Sequence, residues 1–153
     1  MEETKVDLFR SVRIEQFPQG AIIETQPAPE ILYPDFEPRQ LPNGKNRQRD
    51  IESFADGKGD MWVEAGGGTS LFDRDKVFPG KKWLSFDLPV GTVIPESLII
   101  RFTGYNTRYQ ANHYQIEPRA KTMRMDAYMG ALDNLARNAI VRSVELGHAK
   151  NKS

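Results

Sequence analysis

The chain of 153 residues contains no cysteine. That absence excludes disulfides, thiolate nucleophiles and sulfur-ligated zinc together. Only two histidines occur, His113 and His148. They lie far apart in sequence, and His-Glu-x-x-His is missing, so no metal site is expected. Neither sign of charge dominates, with Lys+Arg and Asp+Glu at 21 each. No net field therefore draws the chain to nucleic acid or anionic lipid, and any such contact needs a local patch. No apolar run approaches the ~18 residues that a membrane helix requires. The start, MEETKVDLFR, is acidic and lacks the apolar stretch of a secretory signal peptide. The expectation is a protein made in a cytosol and working in one, without a membrane partner. Export would require a dedicated machine.

What is present reads as a single α+β domain over residues 1–153, with a mostly antiparallel β core and one long helix. Leu8 to Ile14 is rich in β-formers, and Ala21-Ile22-Ile23 is a short second strand. Pro27, Pro29, Pro34, Pro38 and Pro42 then recur, each fixing its own φ and removing a donor. With the turn signal Asn43-Gly44 and the basic run Lys45 to Asp50, residues 27–50 read as an irregular Pro-rich and basic loop, either a mobile lid, a disordered segment or a tolerated surface insertion. Met61-Trp62-Val63 is a strand leading into Gly66-Gly67-Gly68-Thr69-Ser70. Leu84, Phe86 and Leu88 alternate with polar residues as a half-buried strand, and Val93-Ile94 and Leu98 to Phe102 continue the β-rich middle. Gly104-Tyr105-Asn106 reads as a turn before a final strand from Arg108 to Glu117. After Pro118, Met125, Tyr128, Met129, Leu132, Leu135, Ala136, Ala139 and Ile140 recur at helical spacing and share one apolar face, with Gly147 suited to cap the end. Core packing is the plain role for that face.

The glycine run lacks the lysine of a P-loop and no helical pattern follows it. No serine sits in a nucleophile elbow. The remaining polar cluster is Arg10 on the first strand, Thr69 and Ser70 after the glycines, and the last strand. There the two-residue period puts Tyr109, Ala111, His113, Gln115 and Glu117 on one face. They either line a cleft or form a solvated strand face.

Four segments in order carry a resemblance. They are Leu8-Phe9-Arg10-Ser11-Val12; Gly67-Gly68-Thr69-Ser70-Leu71-Phe72-Asp73-Arg74; Tyr105-Asn106-Thr107-Arg108-Tyr109-Gln110-Ala111-Asn112-His113-Tyr114; and Met129 to Ile140. Together they resemble the small toxins exported by type VI secretion that carry an ADP-ribosyltransferase-like fold, the Tse-two toxin family. The resemblance implies that fold and NAD as the substrate. Arg10 is then expected to hold the cofactor's phosphate or ribose, Thr69 and Ser70 to brace the nicotinamide-side ribose, and Tyr105 and Tyr109 to stack on nicotinamide. Gln115-Ile116-Glu117 has the Gln-x-Glu form found in the wider superfamily, which makes Glu117 the carboxylate near the ribose and Gln115 the residue that orients the acceptor. His113 joins them as a catalytic candidate. The chemistry calls for such a set, because breaking the ribose–nicotinamide bond builds oxocarbenium character that a carboxylate stabilises.

The expected function is a cytosol-acting toxin, an NAD-dependent ADP-ribosyltransferase with an intracellular target, delivered by a secretion machine and matched by an immunity protein over the cleft mouth. Two alternatives stand beside it. One is a ribonuclease-like toxin using Arg108, His113 and Glu117, with Arg101, Arg119, Lys121 and Arg124 among Tyr105, Tyr109 and Tyr114 as a single-strand surface. The other is a non-catalytic binding toxin that docks through the outer helix and the Pro-rich loop.

Overall fold

The computed structural model describes residues 1–147, so His148 lies outside the described residues. In chain order the elements are β1 (Leu8–Arg13), a 3-10 turn (Ile14–Gln16), β2 (Ile22–Ile23), β3 (Gln26–Pro27), β4 (Arg39–Gln40), β5 (Asn46–Arg47), β6 (Ser53–Ala55), β7 (Met61–Glu64), β8 (Thr69–Phe72), β9 (Trp83–Leu88), β10 (Leu98–Asn106), β11 (Ala111–Pro118), β12 (Thr122–Arg124) and α1 (Met125–Glu145). A five-stranded sheet has the order β10-β11-β8-β1-β9 and a three-stranded sheet the order β12-β7-β6. Every pairing in both is antiparallel. The fold is thus α+β with an antiparallel core and a long C-terminal helix, as the pattern predicts.

Alternation decides what faces the helix. Leu8, Arg10 and Val12 of β1 stand opposite Leu88, Phe86 and Leu84 of β9, and Leu8, Val12, Phe86 and Leu88 are buried. The apolar stripe of α1, through Tyr128, Leu132, Leu135, Ala136 and Ala139, closes over them together with Leu71 and Ile116. Fully burying a leucine such as Leu132 or Leu135 stabilises the fold by roughly 1.5–3 kcal/mol. Gly147 ends the helix at φ 77, its amide donating to the Val144 carbonyl at 3.0 Å.

Two expectations are corrected. The stretch from 27 to 50 is not disordered, because the residues between its first prolines are apolar enough to reach the core. Ala28, Ile31 and Leu32 are buried, and the segment folds back on itself through Ile31 N–H to Ala28 O at 3.2 Å and Tyr33 N–H to Glu30 O at 3.0 Å. Its basic run forms β5, whose Arg47 pairs with Asp35 at 3.0 Å, as does Arg39 of β4 at 3.1 Å. Second, Gly104-Tyr105-Asn106 is strand rather than turn. The register of β10 on β11 shifts between Phe102 and Gly104, so the glycine absorbs a bulge and pairing continues to Asn106. The turn is residues 107–110, closed by the Asn106 side chain, whose Oδ1 accepts the Tyr109 amide at 3.0 Å. Tyr109 and Arg108 therefore lie in the turn and not on the strand face with His113. Val93 makes only an isolated bridge to Glu3.

Candidate functional site

The central sheet has a gap. β1 pairs with β9 along its whole length, but its register with β8 is the single pair Phe9–Phe72. Beyond that pair the two strands part. Arg10, between Leu8 and Val12, leaves β1 on the core side. Its guanidinium spans the gap, with Nη2 donating to the Tyr33 carbonyl at 3.0 Å and Nη1 donating more weakly to the Ser70 carbonyl at 3.4 Å. The Nε–H is buried and has no partner. Burial pulls the Arg10 pKa below its ordinary value while the Asp50 and Asp35 charges oppose that pull. A guanidinium stays cationic under such conditions, so a positive charge lies at the gap.

A cleft of about 510 Å³ opens there. One wall is aromatic. Phe78 stacks on Trp83 with centroids 4.4 Å apart, and Tyr109 meets Phe78 edge-on at 4.9 Å and Phe72 at 5.6 Å. Arg13 lies over the Trp83 ring at 4.9 Å. The facing wall is polar and comes from the Pro-rich stretch, through Tyr33, Asp35, Arg39, Arg47 and Asp50. Tyr33 donates to Asp133 at 3.1 Å. Burial and that bond push its pKa up to about 12, so it stays a neutral phenol.

The glycine run threads between the Asp50–Ile51 backbone and β11. A Cβ on Gly67 would stand 2.4 Å from the Asp50 carbonyl oxygen, and one on Gly68 would stand 1.8 Å from that of Ile116. Only glycine permits this approach. The run delivers Thr69 and Ser70 with opposite orientations. Thr69 is fully buried and donates to the Leu32 carbonyl at 2.6 Å, whereas Ser70 lines the cleft. Thr69 thus fastens β8 to the Pro-rich stretch.

The turn that carries Tyr109 is clamped from β8. Asp73 accepts both the Asn112 amide and its side chain at 2.8 Å, and Arg74 Nε donates to the Tyr109 carbonyl at 3.1 Å. Two of the segments that carried the resemblance are therefore bonded to one another.

His113 lies beyond Phe72, its ring centroid 5.0 Å from that of the phenylalanine. It lines a shallow depression of about 390 Å³ with Thr103, Tyr105 and Asn106. Phe72 borders both hollows. Thr103 has one hydroxyl proton, which it donates to the His113 carbonyl at 3.0 Å. The Thr103 hydroxyl also contacts His113 Nδ1. Burial holds the His113 pKa below its ordinary value, so the ring is neutral near pH 7.

Gln115 and Glu117 stand apart. Gln115 is the ladder partner of Ser70, but its amide turns to the Gly66 carbonyl at 3.3 Å and to Glu117 Oε2 at 3.0 Å. Glu117 is 4% exposed. Its Oε1 accepts the Gly66 amide at 2.9 Å, and its Oε2 accepts Arg101 Nε at 2.7 Å and forms an ion pair with Arg101 Nη2 at 2.7 Å. Burial alone would raise the Glu117 pKa. The hydrogen bonds from Gln115, Gly66 and Arg101, with the Arg101 charge, outweigh it and hold the carboxyl below its ordinary value.

The structure therefore gathers Arg10, Ser70 and Tyr109 around one cleft and puts His113 and Tyr105 in the adjoining depression. Thr69 goes into the core, and Gln115 and Glu117 against the glycine run. The ribonuclease-like grouping does not assemble by bonding. Arg108 lies over the Tyr109 ring at 5.5 Å, and His113 and Glu117 have other partners. Sequence reasoning missed Tyr33, Asp50, Phe78 and Trp83. The only cue for the last two was their place just before the alternating strand, and proline content hid the first two.

A split antiparallel sheet with an arginine spanning the gap, backed by one long helix, agrees with an ADP-ribosyltransferase-like class. Comparison with known proteins gives the family. A family model described as Tse2 ADP-ribosyltransferase toxin matches residues 5–144. Toxin Tse2 of Pseudomonas aeruginosa is 35% identical over an alignment that covers 94% of this chain and 94% of its own. The chain belongs to the Tse2 ADP-ribosyltransferase toxin family.

Proposed function

We propose that the chain is a toxin that transfers ADP-ribose from NAD to a target inside the cell it enters. The observation that carries this reading is the gap between β1 and β8, where the Arg10 guanidinium reaches the Ser70 carbonyl and both residues line one cleft. Family membership supplies NAD as the substrate. The cleft suits a dinucleotide chemically. Arg10 is the donor for a phosphate or ribose oxygen, Ser70 flanks the ribose, and Tyr109 with Phe78 and Trp83 offers planar surface to a base. Such an aromatic wall also keeps water from the reacting carbon.

In the reaction the ribose–nicotinamide bond breaks, nicotinamide leaves with the bonding pair, and the acceptor attacks the ribose carbon while losing a proton. His113, held near neutral pH as an uncharged ring by its burial, is our candidate to take that proton. The depression around it, with Tyr105, is the acceptor side of the site.

The test is nicotinamide release by purified protein supplied with NAD and cell lysate. Wild type is expected to release nicotinamide and label a lysate component, and Ser70→Ala to do so much more slowly. Equal rates overturn the assignment of the cleft, and RNA breakdown without NAD overturns the reaction. We place the action in the cytoplasm of the recipient cell, with delivery by a type VI secretion machine and protection by an immunity protein seated over the cleft mouth. Cross-links from such a protein that map only to the outer face of α1 overturn that placement.

A further inference from the structure

The sequence Gln115-Ile116-Glu117 matches a catalytic signature, yet its atoms are committed elsewhere. A carboxylate offers about four lone-pair sites. In Glu117 three are taken, one on Oε1 by Gly66 N–H at 2.9 Å and two on Oε2 by Arg101 Nε at 2.7 Å and Gln115 Nε2 at 3.0 Å, with Arg101 Nη2 also at an ion-pair distance of 2.7 Å from Oε2. The second proton of the Gln115 amide goes to the Gly66 carbonyl at 3.3 Å. Glu117 is 4% exposed, and neither side chain borders the cleft that Arg10 and Ser70 share.

We propose that Glu117 and Gln115, with Arg101, are positioning residues that grip Gly66 and thereby fix the glycine run that presents Ser70 to the cleft. The grip acts on both polar groups of one residue, since Glu117 takes the Gly66 N–H and Gln115 reaches its carbonyl. Gly66 has no side chain and a φ of 105, so nothing else on the residue resists rotation. Four residues further on is Ser70, whose carbonyl receives Arg10. The opposite side of the run is held by Asp50, whose carbonyl accepts the Gly68 amide at 2.9 Å. The run is thus gripped from two directions, from β10 and β11 on one side and from the Pro-rich stretch on the other. A buried carboxylate whose pairing is satisfied keeps its charge, and removing its partner is costly. Such a group suits a fixed anchor rather than one that must meet a transient cation.

This inference rests on the proposed transferase reading for its kinetic test but not for its structural one. In the full chain, Glu117→Gln and Arg101→Gln are compared with wild type for nicotinamide release. Anchoring predicts that both raise the KM for NAD several-fold and leave kcat within about threefold, with the double variant no worse than the worse single one. A fall in kcat of about a hundredfold or more for Glu117→Gln, with KM held and Arg101→Gln near wild type, overturns it. Amide exchange at Gly66 gives a readout free of activity. It is expected to speed up in both variants, and an unchanged rate in Glu117→Gln overturns the anchor. If wild type releases no nicotinamide, the transferase reading fails, and the exchange measurement still decides this inference.

Discussion

Arg10 meets Ser70 through the backbone: the guanidinium donates to the Ser70 carbonyl at 3.4 Å across the gap, although strand alternation sends the two side chains to opposite sides of the sheet. The meeting is possible only because the ladder between β1 and β8 stops at Phe9 and Phe72. Ser70 is thus held by its main chain, and its hydroxyl takes no part in that bond.

The adjacent hydroxyls should therefore separate stability from activity. Thr69→Ala strands the buried Leu32 carbonyl, which is expected to lower unfolding free energy by about 1–3 kcal/mol. Ser70→Ala should leave the urea midpoint within experimental error and slow nicotinamide release. Denaturation curves and turnover measured on both variants check this, and the reverse pattern overturns the assignment.

Glycine substitutions should differ in sign. Gly68→Ala puts a Cβ 1.8 Å from the Ile116 oxygen and is expected to abolish folding or cost well over 3 kcal/mol. Gly130 lies inside α1 with open space around it, so Gly130→Ala should stabilise by roughly 0.5–1 kcal/mol. Thermal unfolding of the two purified variants distinguishes them.

Acid should weaken the fold in a window set by His113. Its folded pKa lies below the ordinary 6.5 because burial disfavours the cation. Between the two values the unfolded chain holds more protons, so stability rises with pH there. The contribution is complete above the unfolded value and is lost as pH falls through it toward the folded one. Urea midpoints at about pH 7.5 and about pH 5.5 should differ in wild type and differ less in His113→Gln. Glu117, also depressed, loses its contribution only at lower pH.

Arg74 should matter to binding without touching the cleft. It holds the carbonyl of Tyr109, and Arg74→Ala frees the turn that carries that ring. The KM for NAD is expected to rise several-fold while kcat changes less than about twofold. An unchanged KM shows that the turn keeps its shape without the clamp.

Much of the fold was legible because its signals are local. The helix of α1 and the alternation in β9 depend on spacing within a dozen residues, and burial follows from them. The split in the sheet was not legible, since nothing in Leu8-Phe9-Arg10 says which strand will lie beside it or for how long. The Pro-rich stretch misled for a related reason. Its prolines announced irregular backbone correctly, but irregular is not loose, and Ile31 and Leu32 are core residues. Gln115 and Glu117 show the limit of a motif. Spacing predicted a shared strand face, and only the partners Gly66 and Arg101, distant in sequence, reveal how the two side chains are spent.

The lone rung at Phe9–Phe72 makes the central sheet two leaves, β10-β11-β8 and β1-β9, joined at a short seam. A molecule lodged along that seam bonds to both leaves and supplies cohesion that the backbone does not. Cohesion across the seam then depends on what spans it, and in this structure that is the Arg10 guanidinium.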